Sequence, residues 1–180
     1  PVDEIDAVVL SHAHIDHSGA LPLLVAQGFD GPIYATHATR DLCAAMLRDA
    51  AYIQEADARY LNKQIDRGEL DSDPIDPLYT EADALAAIER FVSIPYHRGF
   101  EVAPGVRVTY YDAGHVLGSA ITALDADEDG TWRRVVFTGD LGRHHMPILR
   151  DPELVSGAEL LLTESTYGDR LHDPIAKMDD

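Results

Sequence analysis

Three scarcities bound this chain of 180 residues before any motif is read. Cysteine occurs once, at Cys43, so no intrachain disulfide can form; that fits a reducing compartment, and the residue reads as a small member of a helical core. Lysine occurs only at Lys63 and Lys177, and with 12 arginines it faces 22 aspartates and 10 glutamates, for a net charge of −18. Such a surface argues against a broad phosphate-binding face and leaves room only for a local basic groove. No apolar run approaches the length of a membrane span, and the opening Pro1-Val2-Asp3-Glu4 has neither the basic nor the apolar part of a secretory signal. The expectation is a cytoplasmic protein with no membrane partner. What is there is 46% hydrophobic, enough for one domain with a real core.

Hydrophobic periodicity divides the chain into elements. Residues 6–11 read as a buried strand, 18–27 as a helix stopped by Gly28, and 33–35 as a short strand. A long helical pattern covers 38–67, with Leu42, Met46, Ala50, Ile53, Asp57, Leu61 and Ile65 spaced by three or four and Gly68 as its stop. Residues 71–79, with Pro74 and Pro77, read as a polar loop, and Thr80-Glu81-Ala82-Asp83 has the spacing of a capping box opening a helix that runs to Phe91. After Pro95 the period changes. Residues 106–111, 120–124 and 132–137 are β-branched and aromatic strands, the last two joined across Asp127-Glu128-Asp129-Gly130 in a meander, and 158–163 is a further strand. Strands at both ends and in the middle, with helices between them, predict a layered α/β domain. Neither end carries an approach segment or a cap, so a fragment is expected.

At the end of the first predicted strand stands Ser11-His12-Ala13-His14-Ile15-Asp16-His17-Ser18-Gly19. Side chains alternate in an extended segment, which predicts His12, His14 and Asp16 on one side, with His17 joining them as the chain turns into a helix. Chance yields roughly 0.003 matches to His-x-His-x-Asp-His in a chain of this composition and length. His115, within Asp112-Ala113-Gly114-His115-Val116-Leu117-Gly118-Ser119-Ala120, lies between two predicted strands, where glycines let the backbone bend closely around an ion. Asp140 ends another strand in the same manner. A carboxylate at a rigid strand end can bridge two cations, and neutral imidazoles suit Zn²⁺ without excluding Mn²⁺ or Fe²⁺. The six residues together predict a two-metal centre. His37, His97, His144, His145 and His172 read as surface residues, although His172 stands close enough to Glu164 in sequence to line a cleft.

Across these motifs the chain resembles the metallo-β-lactamase-fold hydrolases, whose His-x-His-x-Asp-His, later His and later Asp are met here in order. The flanks Gly114-His115-Val116-Leu117-Gly118-Ser119-Ala120, Thr138-Gly139-Asp140-Leu141-Gly142-Arg143 and Thr163-Glu164-Ser165-Thr166-Tyr167-Gly168-Asp169-Arg170-Leu171-His172 are similar to the β-CASP nucleases that process RNA, and the likeness runs essentially from end to end. The resemblance implies a four-layer αββα fold, incomplete at both ends. Residues 1–180 would be part of the metallo-β-lactamase domain, with the β-CASP domain and the C-terminal part outside them.

The same resemblance implies one zinc on His12, His14 and His115, a second on Asp16 and His17, and Asp140 between the two. The family's final ligand histidine is not assignable in this chain, and its general-acid histidine would lie outside it. Asp16 is carried over as the residue that orients the attacking water or takes its proton, and Glu164 as a catalytic residue that supports the acid histidine. The implied activity is zinc-dependent hydrolysis of RNA, weak or absent in residues 1–180 alone, with pairing into a homodimer left open. The alternative is a small-molecule hydrolase of the same fold, cleaving a thioester or lactone. A non-catalytic RNA-processing scaffold is opposed by the intact ligand set.

Overall fold

Two sheets of different character share the core of the computed structural model, which describes residues 1–171. Val8–Val9 (β1), Ile33–Ala35 (β2) and Phe91–Ser93 (β3) pair in parallel, in that order, and the segments between them are helical. These are Ile15–Ser18 (α1), Leu21–Ala26 (α2), His37–Asp66 (α3) and Glu81–Glu89 (α4). A parallel sheet needs such crossovers, and they cover one of its faces here. Phe29, Ile33 and Ala35 are sealed there against Leu21, Cys43, Leu47 and Ala84. Cys43 is a core residue as expected, and burial pushes its thiol up to about 11, against the hydrogen bond from Ser18.

The second sheet orders Phe100–Ala103 (β4), Val106–Asp112 (β5), Ala120–Glu128 (β6), Thr131–Phe137 (β7) and Leu160–Leu162 (β8). β5, β6 and β7 form the expected meander, β4 extends it by a strand that was not expected, and β8 adds in parallel to β7. Alternation along β5 and β6 gives the sheet two apolar faces. Val108, Tyr110 and Ala120 pack toward Val9 and the first sheet, where the Tyr110 hydroxyl donates to the Tyr34 carbonyl at 2.9 Å. Ile121, Ala123 and Val136 face the other way, against Val155. The order is therefore helices, sheet, sheet: three layers of the expected four, with no helix on the outer face of the second sheet among the described residues. No described helix is long and apolar enough to cross a membrane.

Several boundaries differ from expectation. The first strand shrinks to β1, although Val8 N–H to the Pro32 carbonyl and Leu10 N–H to the Tyr34 carbonyl carry the ladder on either side. The helix expected at 18–27 is α2, beginning only at Leu21, and the unexpected α1 ends just before it; Pro22, with no N–H to donate to the Ser18 carbonyl one turn back, keeps the two from joining. The capping box is present, with Thr80 N–H donating to the Asp83 carboxylate at 2.8 Å, which holds that carboxyl below its usual range. Its helix stops at Glu89, and Phe91 opens β3. β6 outruns its apolar stretch because Asp125 and Glu128 pair across the hairpin with Arg134 and Arg133, at 2.7 and 3.3 Å. The turn is the two residues Asp129 and Gly130, both at positive φ, which suits a tight hairpin.

Leu47 is fully buried between α3 and the parallel sheet. Leu47→Ala is expected to cost about 3 kcal/mol of stability, read as a lowered urea midpoint with an unchanged slope.

Candidate metal centre

The ligand-bearing segments leave the two sheets at one edge. Beyond β1 the chain passes through Ser11 and His12 into α1; beyond β5 it loops through His115 to β6; beyond β7 it reaches Asp140. The Ala120 N–H donates to the Ser11 carbonyl at 2.8 Å, tying the first segment to the start of β6. The Gly142 N–H donates to the Ala113 carbonyl at 2.8 Å, drawing the segment after Asp140 against the His115 loop. That approach requires glycine, since a methyl on residue 142 would overlap the Gly114 carbonyl.

His12, His14, His115 and Asp140 place one donor atom each within 4.8 Å of every other. His14 Nδ1 lies 3.1 Å from His12 Nε2 and 3.1 Å from His115 Nε2. Donors at about 2.1 Å around a tetrahedral ion stand roughly 3.3 Å apart, so this spacing fits a shared cation. Asp140 divides its oxygens: Oδ2 is 3.6 Å from His12 Nε2 and 3.5 Å from His115 Nε2, while Oδ1 is 3.3 Å from His17 Nε2. His17 Nε2 is in turn 3.6 Å from Asp16 Oδ2. The structure thus gathers four of the six predicted ligands tightly and sets Asp16 and His17 beside them, reached through the second oxygen of Asp140. The donor set is that of a site for a divalent metal ion.

Strand alternation does not explain how Asp16 gets there. Helix α1 begins at Ile15, so Asp16 projects from its first turn, with its side chain 75% exposed. His12, by contrast, is fully buried. Burial, with His17 close by, lowers its pKa to about 4 despite the Asp140 carboxylate. Burial lowers His115 also, against the same carboxylate. A nitrogen kept neutral is a nitrogen able to bind a metal.

Neighbours missed by the sequence reading orient these ligands. Ser11 Oγ stands 3.1 Å from His12 Nδ1, a partner for the ring nitrogen that points away from the cluster. Ser119 Oγ accepts from the backbone N–H of His115 and of Val116, at 3.0 and 3.2 Å. The signals were a serine next to His12 and another four residues past His115 in the same glycine-containing loop. Glu164 lies just past β8 and accepts from the Leu141 N–H at 2.7 Å, one residue from Asp140. Partial burial of Glu164 works against its charge, but Leu141, Thr166 and His115 together hold the carboxyl below its usual range.

The histidines set aside stand apart from the cluster. His144 and His145 are exposed and gather around Asp151, the His144 ring at 3.1 Å. His97 pairs with Glu153 at 2.7 Å, and His37 is exposed at the start of α3. His172 lies outside the described residues.

Histidines and a carboxylate converging at one edge of two facing sheets define a metal-binding α/β domain. The chain belongs to the metallo-β-lactamase superfamily: residues 1–157 match the family described as a metallo-beta-lactamase superfamily domain. A ribonuclease of Thermus thermophilus is 34% identical over 171 residues, covering 95% of this chain and 34% of that protein. The transcription termination factor FttA of Methanococcus maripaludis is 34% identical over 169 residues, covering 93% of this chain and 24% of that protein. The chain therefore spans between a quarter and a third of the length of these relatives. Among solved structures, the subclass B3 metallo-beta-lactamase MEM-A1 from a soil metagenome library aligns with a TM-score of 0.46 and 17% identity, over 76% of this chain and 42% of that one.

Two outcomes are expected. In a Zn²⁺ titration against a chromophoric chelator, Asp140→Ala weakens the first ion by more than about tenfold, whereas Asp16→Ala leaves it nearly unchanged. The second prediction concerns the metal-free fold, in which His12 stays neutral down to about 4 while an unfolded histidine takes up its proton near 6.5. Stability should therefore fall as pH drops through 6.5 toward 4, and urea midpoints of chelator-treated protein at pH 7 and pH 4.5 measure it.

Proposed function

We propose that this chain is the metal-binding core of a ribonuclease that hydrolyses phosphodiester bonds in RNA with two zinc ions, Mn²⁺ or Fe²⁺ being workable substitutes. Bound in such a site, divalent ions acidify water toward neutral pH and neutralise charge growing on phosphoryl oxygens. The chain's own groups do the rest. Buried His12 and the half-buried His115 present neutral nitrogens beside the His14 ring, and Asp140 turns one oxygen to each side of the site. Asp16, exposed at the mouth, is placed to orient the attacking water or take its proton. Glu164 holds the Leu141 backbone and with it Asp140; in this reading it also supports the histidine that protonates the leaving oxygen. That histidine, the last ligand and the β-CASP domain belong to parts of the protein beyond residues 1–180, and the reading goes with a cytoplasmic location.

The observation that favours RNA over a thioester or lactone is the composition of the cleft beside the cluster. It encloses about 260 Å³ and is lined by His115, Asp140, Arg143, Glu164 and Tyr167, with the Arg170 guanidinium 4.8 Å over the Tyr167 ring. Cations next to an aromatic face suit a substrate made of phosphates and bases. The ribonuclease named among the relatives points the same way.

The test is a side-by-side assay of the full-length protein on labelled RNA and on a thioester. RNA is expected to be cut, the thioester spared, and Asp140→Ala to abolish cutting. Thioester turnover with intact RNA would replace this reading by the small-molecule one.

A further inference from the structure

Thr36 and Thr39 are not metal donors, yet both are buried where the start of α3 meets the loop that carries His115. The Thr36 hydroxyl donates to the Gly118 carbonyl at 2.6 Å, and the Thr39 hydroxyl donates to the same oxygen at 2.9 Å. A carbonyl oxygen has two lone pairs, so the pair of hydroxyls saturates it. Thr36 Oγ1 also accepts the Thr39 N–H at 3.3 Å, the bond that caps α3. The contact is close-fitted. A methyl on Gly118 would stand 2.6 Å from Thr39 N and 2.7 Å from Thr36 Oγ1, and its φ of +85° already disfavours any side chain.

From Gly118 the constraint passes along the chain to His115. Ser119, the next residue, is fully buried; its Oγ accepts from the His115 N–H, and its carbonyl accepts from the Tyr96 hydroxyl at 2.8 Å and the Ala113 N–H at 3.1 Å. Without the two threonine hydroxyls, the Gly118 carbonyl would be a half-buried acceptor with no partner, and its peptide would turn to find one. That rotation moves Ser119 and the His115 backbone with it. Metal coordination holds distances to about 0.2 Å, so a small displacement is enough to matter.

We propose that Thr36 and Thr39 are positioning residues for the metal centre: their shared grip on the Gly118 carbonyl holds the 113–119 loop so that His115 Nε2 meets His12, His14 and Asp140. The inference rests on reading those four residues as metal ligands. It is separable from helix capping, because the cap needs only Thr36 Oγ1 and the Thr39 backbone, whereas the Thr39 hydroxyl donates to Gly118 and stands 3.0 Å from the Thr36 hydroxyl.

The test compares Thr39→Val, nearly the same shape without the hydroxyl, with Thr39→Ser, which keeps the hydroxyl and loses a methyl. Three readouts are taken: Zn²⁺ affinity by chelator competition, the visible absorption of the Co²⁺-loaded chain, and thermal unfolding of the metal-free chain. Thr39→Val is expected to bind Zn²⁺ about tenfold more weakly and to change the intensity of the Co²⁺ bands, with Thr39→Ser matching wild type in both. A purely structural role would shift only the unfolding temperature, and wild-type affinity and spectrum in Thr39→Val would overturn the proposal. Should Thr39→Val not fold, Thr39→Ala against Thr39→Ser makes the same comparison, and equal losses in the two overturn it. A wild-type chain that takes up no Zn²⁺ sinks the ligand assignment and this inference together, whereas normal wild-type binding with an unaffected Thr39→Val sinks the inference alone.

Discussion

The rest of the molecule answers to one crowded arrangement, His14 Nδ1 standing 3.1 Å from each of two other imidazole nitrogens with Asp140 facing the group. A neutral imidazole carries a single N–H and can satisfy one such contact, not all of them. Burial also keeps His12 uncharged down to about 4. Lone pairs directed at a common point are stable together when a cation occupies that point, and the fold supplies the rigidity that keeps them there in the meantime.

That rigidity comes from where the chain reverses. His12, His14, His115 and Asp140 each sit a few residues past the end of a strand, where backbone hydrogen bonding has fixed the direction of the chain and side chains are free to point outward. The reversals are then cross-tied: Ser11 to Ala120, Ala113 to Gly142, Leu141 to Glu164, and Gly118 to the start of α3. All four ties use a backbone group on at least one side, so the sequence signature is a small residue, a hydroxyl or, at Glu164, a single carboxylate. The helical layer is therefore part of the site even though it gives no donor outside α1.

Legibility in the sequence followed the same division. The donors were readable because His-x-His-x-Asp-His is improbable by chance and because His115 and Asp140 end strands whose apolar period is clear. The long helix α3 and the meander were readable from periodicity, and the Thr80 capping box from its spacing. Helix α1 was not: four residues give no period, and its onset at Ile15 put Asp16 on a helix instead of a strand. β4, in which Phe100 and Val102 are flanked by Gly99 and Gly105, was too short to rise above the surrounding loop. The charged half of β6 was hidden because cross-strand ion pairs, not apolar contacts, carry it. The clasp on Gly118 left no trace in the sequence for another reason: nothing around Thr36 and Thr39 marks the carbonyl, 82 residues beyond Thr36, that their hydroxyls share.

β8 closes the second sheet at its edge, pairing on one side only, and its three leucines, Leu160, Leu161 and Leu162, are all exposed among the described residues. An unpaired ladder flanked by greasy side chains is a template on which another extended segment can zip up. In residues 1–180 alone, left uncovered in concentrated solution, this rim would let copies add to one another strand by strand, and the net charge of −18 would work against it.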